Sequence, residues 1–392
     1  MRILFLSGWY PDPPDNGSKL RIINLLRGLA QRHDVSLLSF SETSRPVLAG
    51  SELFSLCREV QVAPAIQFAP RSWRARLGFF SLTPRSVVAT YSREMEQRVR
   101  AMLRKSRYDL VIASQLGVAA YSHCFAGLPA LLEEVEVALL WEQFARARTL
   151  GERLRYGLTW AKQKRYLKRL LRHFQFCTVV SEREKQLLAA AVPGFSAVEV
   201  IPNCIKLADY ASIEAAPQRR QLIFTGSFRY FANYDGMTWF LQEVYPLLRN
   251  VEPDVQLIIT GDHANLPLPQ AENVTLTGFV EDIRPLIASS WVSLSPLRLG
   301  GGTRLKILEA MALRTPVVAT SKGAEGLGAR HGEHLLVADT PQEYAAALGQ
   351  LLRDAALRQR LADNAYRFVA QNYDCAVTVP RFLDLVERVA HV

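Results

Sequence analysis

Apolar positions in the first half of the chain come in short runs separated by amphipathic stretches. Residues 3–6 form a run long enough for one buried strand, residues 11–19 read as a Pro-rich loop, and residues 20–31 place Ile22, Ile23, Leu25, Leu26 and Leu29 on one helical face. Residues 35–40 predict the next strand. A helix around residues 95–103 leads to a strand over 109–113, and residues 176–180 predict another. Such alternation of strand and helix implies parallel sheets with right-handed crossovers. The stretch 198–205 closes this half, and the polar residues 206–220 read as a linker. A second series then restarts. Strands are expected at 222–225, 256–260, 274–277, 292–295 and 317–320, with a helix over 235–248. Thr340, Pro341 and Glu343 announce a C-terminal helix through a cap, a first-turn proline and an acidic residue near the positive end. The expected fold class is α/β, with two Rossmann-like domains, residues 1–203 and 204–374, facing each other across a cleft where the strands' carboxyl ends gather ligands.

Composition agrees with that division. A chain of 392 residues with 49% hydrophobic and 21% charged residues suits two domains of about 150–200 residues each. No apolar run approaches the ~20 residues of a membrane-spanning helix, and the opening run is too short for a signal peptide. The cysteines, Cys57, Cys124, Cys177, Cys204 and Cys375, are odd in number and lack metal-type spacing. The expectation is buried free thiols in a reducing compartment, hence the cytoplasm, with possible peripheral attachment to the inner membrane face.

Charge is unevenly placed. Residues 1–200 carry 29 Lys+Arg against 17 Asp+Glu, a net of +12, and residues 201–392 carry 18 against 20, a net of −2, which together give the +10 of the chain. The excess concentrates in 71–107 and in 146–172. The second stretch holds Lys162, Lys164, Arg165, Lys168, Arg169 and Arg172, while Trp160, Tyr166, Leu167, Leu170, Leu171 and Phe174 recur at three- and four-residue steps. This pattern fits a core-packed helix with a solvated basic face, or docking on an anionic membrane surface. No aromatic-interleaved motif or nucleic-acid-binding fold accompanies it, so no nucleic-acid partner is expected.

The strongest chemical signal is Ser295-Pro-Leu-Arg-Leu-Gly-Gly-Gly-Thr-Arg-Leu-Lys-Ile-Leu-Glu-Ala-Met-Ala-Leu313. A strand runs into Gly300, Gly301 and Gly302, and a helix is expected to begin near Thr303. Glycines let the backbone approach a ligand closely, and the helix start adds unpaired donors and partial positive charge, which together suit a diphosphate. Arg304 and Lys306 add cations. Glu309, three residues beyond Lys306, can accept hydrogen bonds from ribose hydroxyls. The spacing matches neither a P-loop nor Gly-x-Gly-x-x-Gly. The blander alternative is a tight strand-to-helix turn with Glu309 paired to Lys306.

This segment, continuing into Thr315-Pro-Val-Val-Ala-Thr-Ser-Lys-Gly-Ala-Glu-Gly-Leu327, resembles the donor-binding region of family 4-type, group 1 glycosyltransferases with the GT-B fold. Ile201-Pro-Asn-Cys is similar to the inter-domain "IPNG" of that family, Phe224-Thr-Gly-Ser-Phe-Arg-Tyr-Phe-Ala-Asn233 to its first C-domain loop, and Leu276-Thr-Gly-Phe-Val-Glu-Asp282 to its base-binding loop. Pro11-Asp-Pro-Pro-Asp-Asn-Gly-Ser-Lys-Leu-Arg21 is similar, more loosely, to the N-terminal loop of exopolysaccharide-associated sugar transferases. The resemblance implies that Glu309 holds the ribose and that Gly302, Thr303, Arg304 and Lys306 border the donor phosphates. It implies further that Arg229 is another diphosphate cation, that Val280 contacts the base, and that Gly17 lets its loop approach the transferred sugar. Gly226 and Gly261, at the ends of their strands, belong to the same expected site. The terminal helix, residues 375–392, is expected to pack on the first domain. The implied activity is retaining, metal-independent transfer of a hexose-type sugar from a UDP- or GDP-sugar to a glycan, lipid-linked or small-molecule hydroxyl acceptor, with no cofactor beyond that donor substrate.

The sequence departs from the family pattern in places. Of the two glutamates usually eight positions apart, Glu309 is the second and the first falls on Gly301. Where relatives carry histidine, this chain has Gln115 and Leu132-Glu-Glu-Val-Glu136. Glu133 or Glu136 is therefore expected either to face the sugar or acceptor or to pair on the surface with the basic helix. His123 and His263 are imidazoles worth testing, and Asp12 and Asp15 are expected to shape their loop. Two competing functions remain open at this stage: a nucleotide-sugar 2-epimerase, and a non-catalytic nucleotide-sugar-binding partner.

Overall fold

The structure, a computed structural model, describes residues 1–42, 50–125, 127–300 and 304–391. The chain divides into two compact units, Met1–Asn203 with Val379–Val392, and Cys204–Thr378.

In the first unit, seven strands form one sheet: β1 (Arg2–Ser7), β2 (Asp34–Ser41), β3 (Glu59–Pro64), β4 (Leu110–Ser114), β5 (Ala130–Glu133), β6 (Phe176–Val179) and β7 (Val198–Val200). Their order is β3-β2-β1-β4-β5-β6-β7, and every pairing is parallel. The strands are apolar on both faces because both faces are covered. Leu4, Leu6, Val111, Ala113 and Leu132 pack into one core, while Ile3, Phe5, Leu110, Ile112 and Leu131 pack into another. The order reverses between β1 and β4, the place where parallel sheets open a crevice at their carboxyl ends.

The second unit repeats the plan with β8 (Gln218–Thr225), β9 (Gln256–Thr260), β10 (Val274–Gly278), β11 (Ser290–Ser295), β12 (Val317–Ala319) and β13 (Leu336–Val337). The order is β10-β9-β8-β11-β12-β13, again parallel throughout, with the reversal between β8 and β11.

Three expectations change. The linker over 206–220 is ordered: it holds the short helix Ala208–Ala211, and β8 begins at Gln218, where it pairs with Ser290 of β11. Polar residues can extend a strand beyond the buried sheet, so hydropathy understates its length. The helix over 235–248 is instead Phe231–Trp239, a π-turn over Phe240–Val244, and Tyr245–Val251. Pro246 has no N–H to give and would crowd the carbonyl one turn back, and the wider turn lies directly before it. The cysteines are not all free thiols. Cys204 and Cys375 form a disulfide with Cα atoms 5.0 Å apart, while Cys57, Cys124 and Cys177 are free and buried. A separation of 171 residues hid the pair. The backbone bridge between Ile205 and Asp374 brings the two segments together.

Helix Cys375–Ala390 starts in the second unit and ends in the first. Phe382, Leu383, Leu385, Val386 and Val389 are buried with Ile22, Ile23, Leu25 and Leu26 of helix Gly17–Ala30. Gly28 sets how closely these helices approach: a Cβ there would lie 2.2 Å from Val379 Cγ1. Gly28→Ala gains helix propensity of about 1 kcal/mol, but the β-branched Val379 cannot swing aside freely, and overpacking of a core costs about 1–3 kcal/mol. Gly28→Ala is therefore expected to lower unfolding free energy in urea, and an unchanged or raised midpoint would show that the helices separate at no cost.

Candidate functional site

In the second unit the chemistry starts where β8 and β9 end. Thr225 runs into Gly226 at φ +144° and Thr260 into Gly261 at φ +114°. A Cβ on Gly261 would stand 2.6 Å from the carbonyl carbon and oxygen of Gly226, so the two backbone turns touch directly. A Cβ on Gly226 would stand 2.7 Å from Asn233 Nδ2 and 3.0 Å from Lys306 Nζ. Both turns need glycine, for conformation and for space.

Lys306 lies in that gap. Its Nζ donates to Asn233 Oδ1 at 2.9 Å and sits 4.1 Å from the ring centroid of Phe224, while Asn233 Nδ2 donates to the Ser227 carbonyl at 2.8 Å. Burial, with the Arg304 charge acting in the same direction, pushes the ammonium down to about 7. One turn later on helix Leu305–Ala312, Glu309 Oε1 accepts from Tyr210 Oη at 3.2 Å. Burial raises the Glu309 carboxyl, opposed by the Tyr210 hydrogen bond and by the charges of Lys306 and Arg284. Lys306 and Glu309 thus hold different partners, not each other.

The remaining predicted donor-site residues divide. Arg304 is buried, with Nη2 donating to the Gly300 carbonyl at 2.9 Å and to the Lys322 carbonyl at 3.2 Å, so it ties the glycine loop to the segment after β12. It also marks the helix start, one to two residues later than expected. Gly300 has φ +95°, and the hydroxyl of Tyr230 occupies the space a Cβ would need. Gly301, Gly302 and Thr303 lie outside the described residues. Arg229 is exposed and bonded to Asp262, and Val280 is half-buried beside the exposed Phe279, beyond β10. His263 packs on Phe228, with ring centroids 5.3 Å apart.

In the first unit the three carboxylates have different settings. Glu133, at the end of β5, is fully buried; Oε1 accepts from Arg21 Nε at 2.5 Å and Oε2 from Ser114 Oγ at 2.7 Å. Arg21 Nη1 also donates to Asn203 Oδ1 at 2.9 Å, which gives the Asn of Ile201-Pro-Asn-Cys its partner. Glu133 therefore does not lie on the surface: it forms a buried ion pair with Arg21. Glu136 is exposed. The residue between, Glu134, is the one set apart. It has φ +58°, and Gln115, directly after β4, has φ +77°; Gln115 Nε2 donates to Glu134 Oε2 at 2.9 Å. Two non-glycine residues held in the left-handed region cost free energy, and such positions cluster at functional sites. Burial and the neighbouring Glu133 charge raise the Glu134 carboxyl.

Gln115 also lines a cavity of about 960 Å3 at the carboxyl ends of β1, β2 and β4, together with Trp9, Tyr10, Asp12, Asp15 and Lys19. Gly8 admits Gln115 there, since a Cβ would lie 2.6 Å from Gln115 Oε1. Gly17 is the first residue of its helix, capped by Asn16, whose Oδ1 accepts from the Lys19 N–H at 3.1 Å; Asp15 pairs with Lys19 at 2.9 Å. His123 stands apart, with Nε2 3.3 Å from Glu96 Oε1.

Tyr210→Phe tests the Glu309 setting. Removing a hydrogen bond to the charged carboxylate favours the protonated form, so the Glu309 side chain, followed by carbon-detected NMR, is expected to titrate at higher pH than in wild type. Superimposable titrations would show that the hydrogen bond does not act on Glu309.

Comparison with known proteins places these features in a family. The model "Glycosyl transferase 4-like domain" matches residues 16–204, and "Glycosyl transferases group 1" matches residues 219–354. An uncharacterised 44.6 kDa protein in the cps region of Klebsiella pneumoniae is 28% identical over 164 residues, 39% of this chain and 42% of that protein. The chain spans about two fifths of the length of the curated relatives it matches. Among solved structures, HepE of Anabaena in complex with UDP and glucose superposes with TM-score 0.69 at 17% identity, covering 99% of this chain and 100% of that one. Sucrose-phosphate synthase of Thermosynechococcus elongatus gives 0.68 at 17%, covering 99% of each. With a matching model on each of its two parallel-sheet units and the GT-B fold throughout, the chain belongs to the group 1 glycosyltransferases.

Proposed function

We propose that the second unit binds a UDP- or GDP-sugar and that its hexose-type sugar is transferred to a hydroxyl of a glycan, lipid-linked or small-molecule acceptor held by the first. The reading includes retention at the anomeric carbon, no metal, and a role in cell-surface polysaccharide or glycolipid synthesis. The observation that carries it is Lys306: an ammonium buried against a side-chain-free backbone, its charge disfavoured until an anion arrives. A diphosphate supplies that anion, and the glycine turns let it come close. Glu309, held by Tyr210, is set to accept from ribose hydroxyls. Arg229, exposed and tied to Asp262, is a further cation for the diphosphate, and Val280 a wall for the base. The complexes of HepE with UDP and with UDP-glucose support the donor class, and the cps-region relative supports the polysaccharide role.

On the acceptor side, the Gln115–Glu134 pair offers a donor and an acceptor at the carboxyl ends of β4 and β5. Its raised carboxyl suits binding, and proton exchange with, an acceptor hydroxyl.

Incubation with UDP- and GDP-sugars, with nucleotide release followed, separates the functions: acceptor-dependent release supports transfer, isomerised donor supports epimerisation, and binding without turnover supports a partner role. Glu309→Ala is expected to raise donor KM roughly 10- to 100-fold, the scale of hydrogen bonds to a charged group, or to abolish turnover, with the circular dichroism of the folded protein unchanged. Wild-type kinetics would remove Glu309 from the site.

The lowered Lys306 adds a pH test. The free ammonium is largely neutral above about 7 and charged below it. A bound diphosphate favours the charged form, so binding of UDP-glucose at pH 8 is expected to take up close to one proton and at pH 6 close to none. Calorimetry in buffers of differing ionisation heat reads this, and Lys306→Met should abolish the uptake. Buffer-independent heats at pH 8 in the wild type would refute it.

A further inference from the structure

We propose that the first unit docks on the surface of an anionic lipid bilayer through two neighbouring exposed apolar segments, residues 73–82 and residues 150–158. This stands independently of the sugar-transfer reading, because none of these residues belongs to either ligand site.

The long basic helix, Leu150–Leu170, does two different things along its length. Its second half is core: Trp160, Tyr166, Leu167 and Leu170 are buried, as a core-packed helix requires. Its first half is not. Leu150, Leu154 and Leu158 repeat every four residues, on one face, and are 86%, 77% and 56% exposed. Next to it, Trp73 and Leu77 share a face of the short helix Trp73–Leu77 at 70% and 55% exposure, and Phe80 is 92% exposed.

The segment around helix Trp73–Leu77 is held by dedicated contacts. Lys162 Nζ donates to the carbonyls of Gly78 and Phe79 at 3.3 and 2.7 Å, which joins the long helix to the second segment. Arg85 donates from Nε to the Ala75 carbonyl and from Nη2 to the Pro70 carbonyl, at 2.9 and 2.8 Å, and lays its guanidinium 3.8 Å from the Phe79 ring. Ser72 caps the short helix, its Oγ accepting from the Ala75 N–H. Large apolar groups presented together on a rigid frame mark an interaction surface.

Charge chooses the occupant. Residues 146–172 carry ten Lys+Arg and a single acid, Glu152, and Arg71, Arg74, Arg76 and Arg85 surround the other segment. A second copy would oppose this positive surface with the same positive surface, which like charges disfavour. An anionic bilayer meets both features at once: apolar tips enter the headgroup boundary while each nearby cation strengthens binding roughly fivefold. Among the described residues no helix is long and apolar enough to cross a membrane, so the helix would lie on the surface.

The test uses the full chain in sedimentation with vesicles of phosphatidylcholine alone or with a quarter of phosphatidylglycerol. Expected are binding to the phosphatidylglycerol vesicles, roughly tenfold or more weaker binding to phosphatidylcholine, and release at high salt. The variant F80S/L154S, changed at two exposed side chains, should keep its melting temperature and bind roughly tenfold more weakly. No binding to phosphatidylglycerol vesicles, equal binding to both vesicle types, or undiminished binding by the variant would each overturn the proposal. So would self-association in ultracentrifugation that the variant abolishes while vesicle binding is absent, which would assign the surface to a second copy.

Discussion

Every strand in both sheets runs the same way as its neighbours, and that single constraint decides where chemistry can occur. A parallel strand must return through a crossover, so both faces of each sheet are covered and only the strand ends remain open. Glu133, Glu134 and Gln115 lie at the ends of β5 and β4, and Gly226 and Gly261 at the ends of β8 and β9. Each group stands beside the reversal in strand order, where adjoining crossovers leave in opposite directions and part from each other.

At those ends the backbone conformation carries as much of the site as the side chains do. Gly261 rests on the carbonyl of Gly226, and the room left by the absent Cβ of Gly226 is what Lys306 and Asn233 approach. The first unit reaches a comparable result at a cost. Gln115 and Glu134 adopt the left-handed region without being glycine, and the hydrogen bond between them is part of what maintains it.

How much of this could be read from the sequence depends on how local it was. Lys306 and Glu309 lie three residues apart on one helix behind a glycine run, so the helical period alone joins them. Tyr210 is 99 residues from Glu309 and Arg21 is 112 from Glu133, and no pattern in the chain announces either contact. Glu133 and Glu134 show the finer limit. Side chains alternate along a strand, so the residue on which β5 ends decides which glutamate is sealed beneath Arg21 and which meets Gln115. That residue is Glu133, and the positive φ immediately after it turns Glu134 out of the alternation. The basic helix is a related case: its period marked the buried half correctly, while Leu150, Leu154 and Leu158 carry the same period with nothing of this chain's core over them.

The two units also treat buried charge in opposite ways, and this bears on what each can do. Arg21 and Glu133 neutralise each other, with Ser114 and Asn203 taking further hydrogen-bonding positions. Removing either partner would leave an uncompensated buried charge, commonly a loss of about 3–5 kcal/mol, so the pair fixes helix Gly17–Ala30 against β5. Lys306 has an amide oxygen and an aromatic face as partners, and among the described residues no carboxylate pairs with it. Its proton is therefore held weakly, and an arriving dianion would strengthen it. A buried cation satisfied within the fold is scaffold. Lys306 is not neutralised in this way, and the second unit's glycine turn at Gly226 is what leaves its ammonium beside bare backbone.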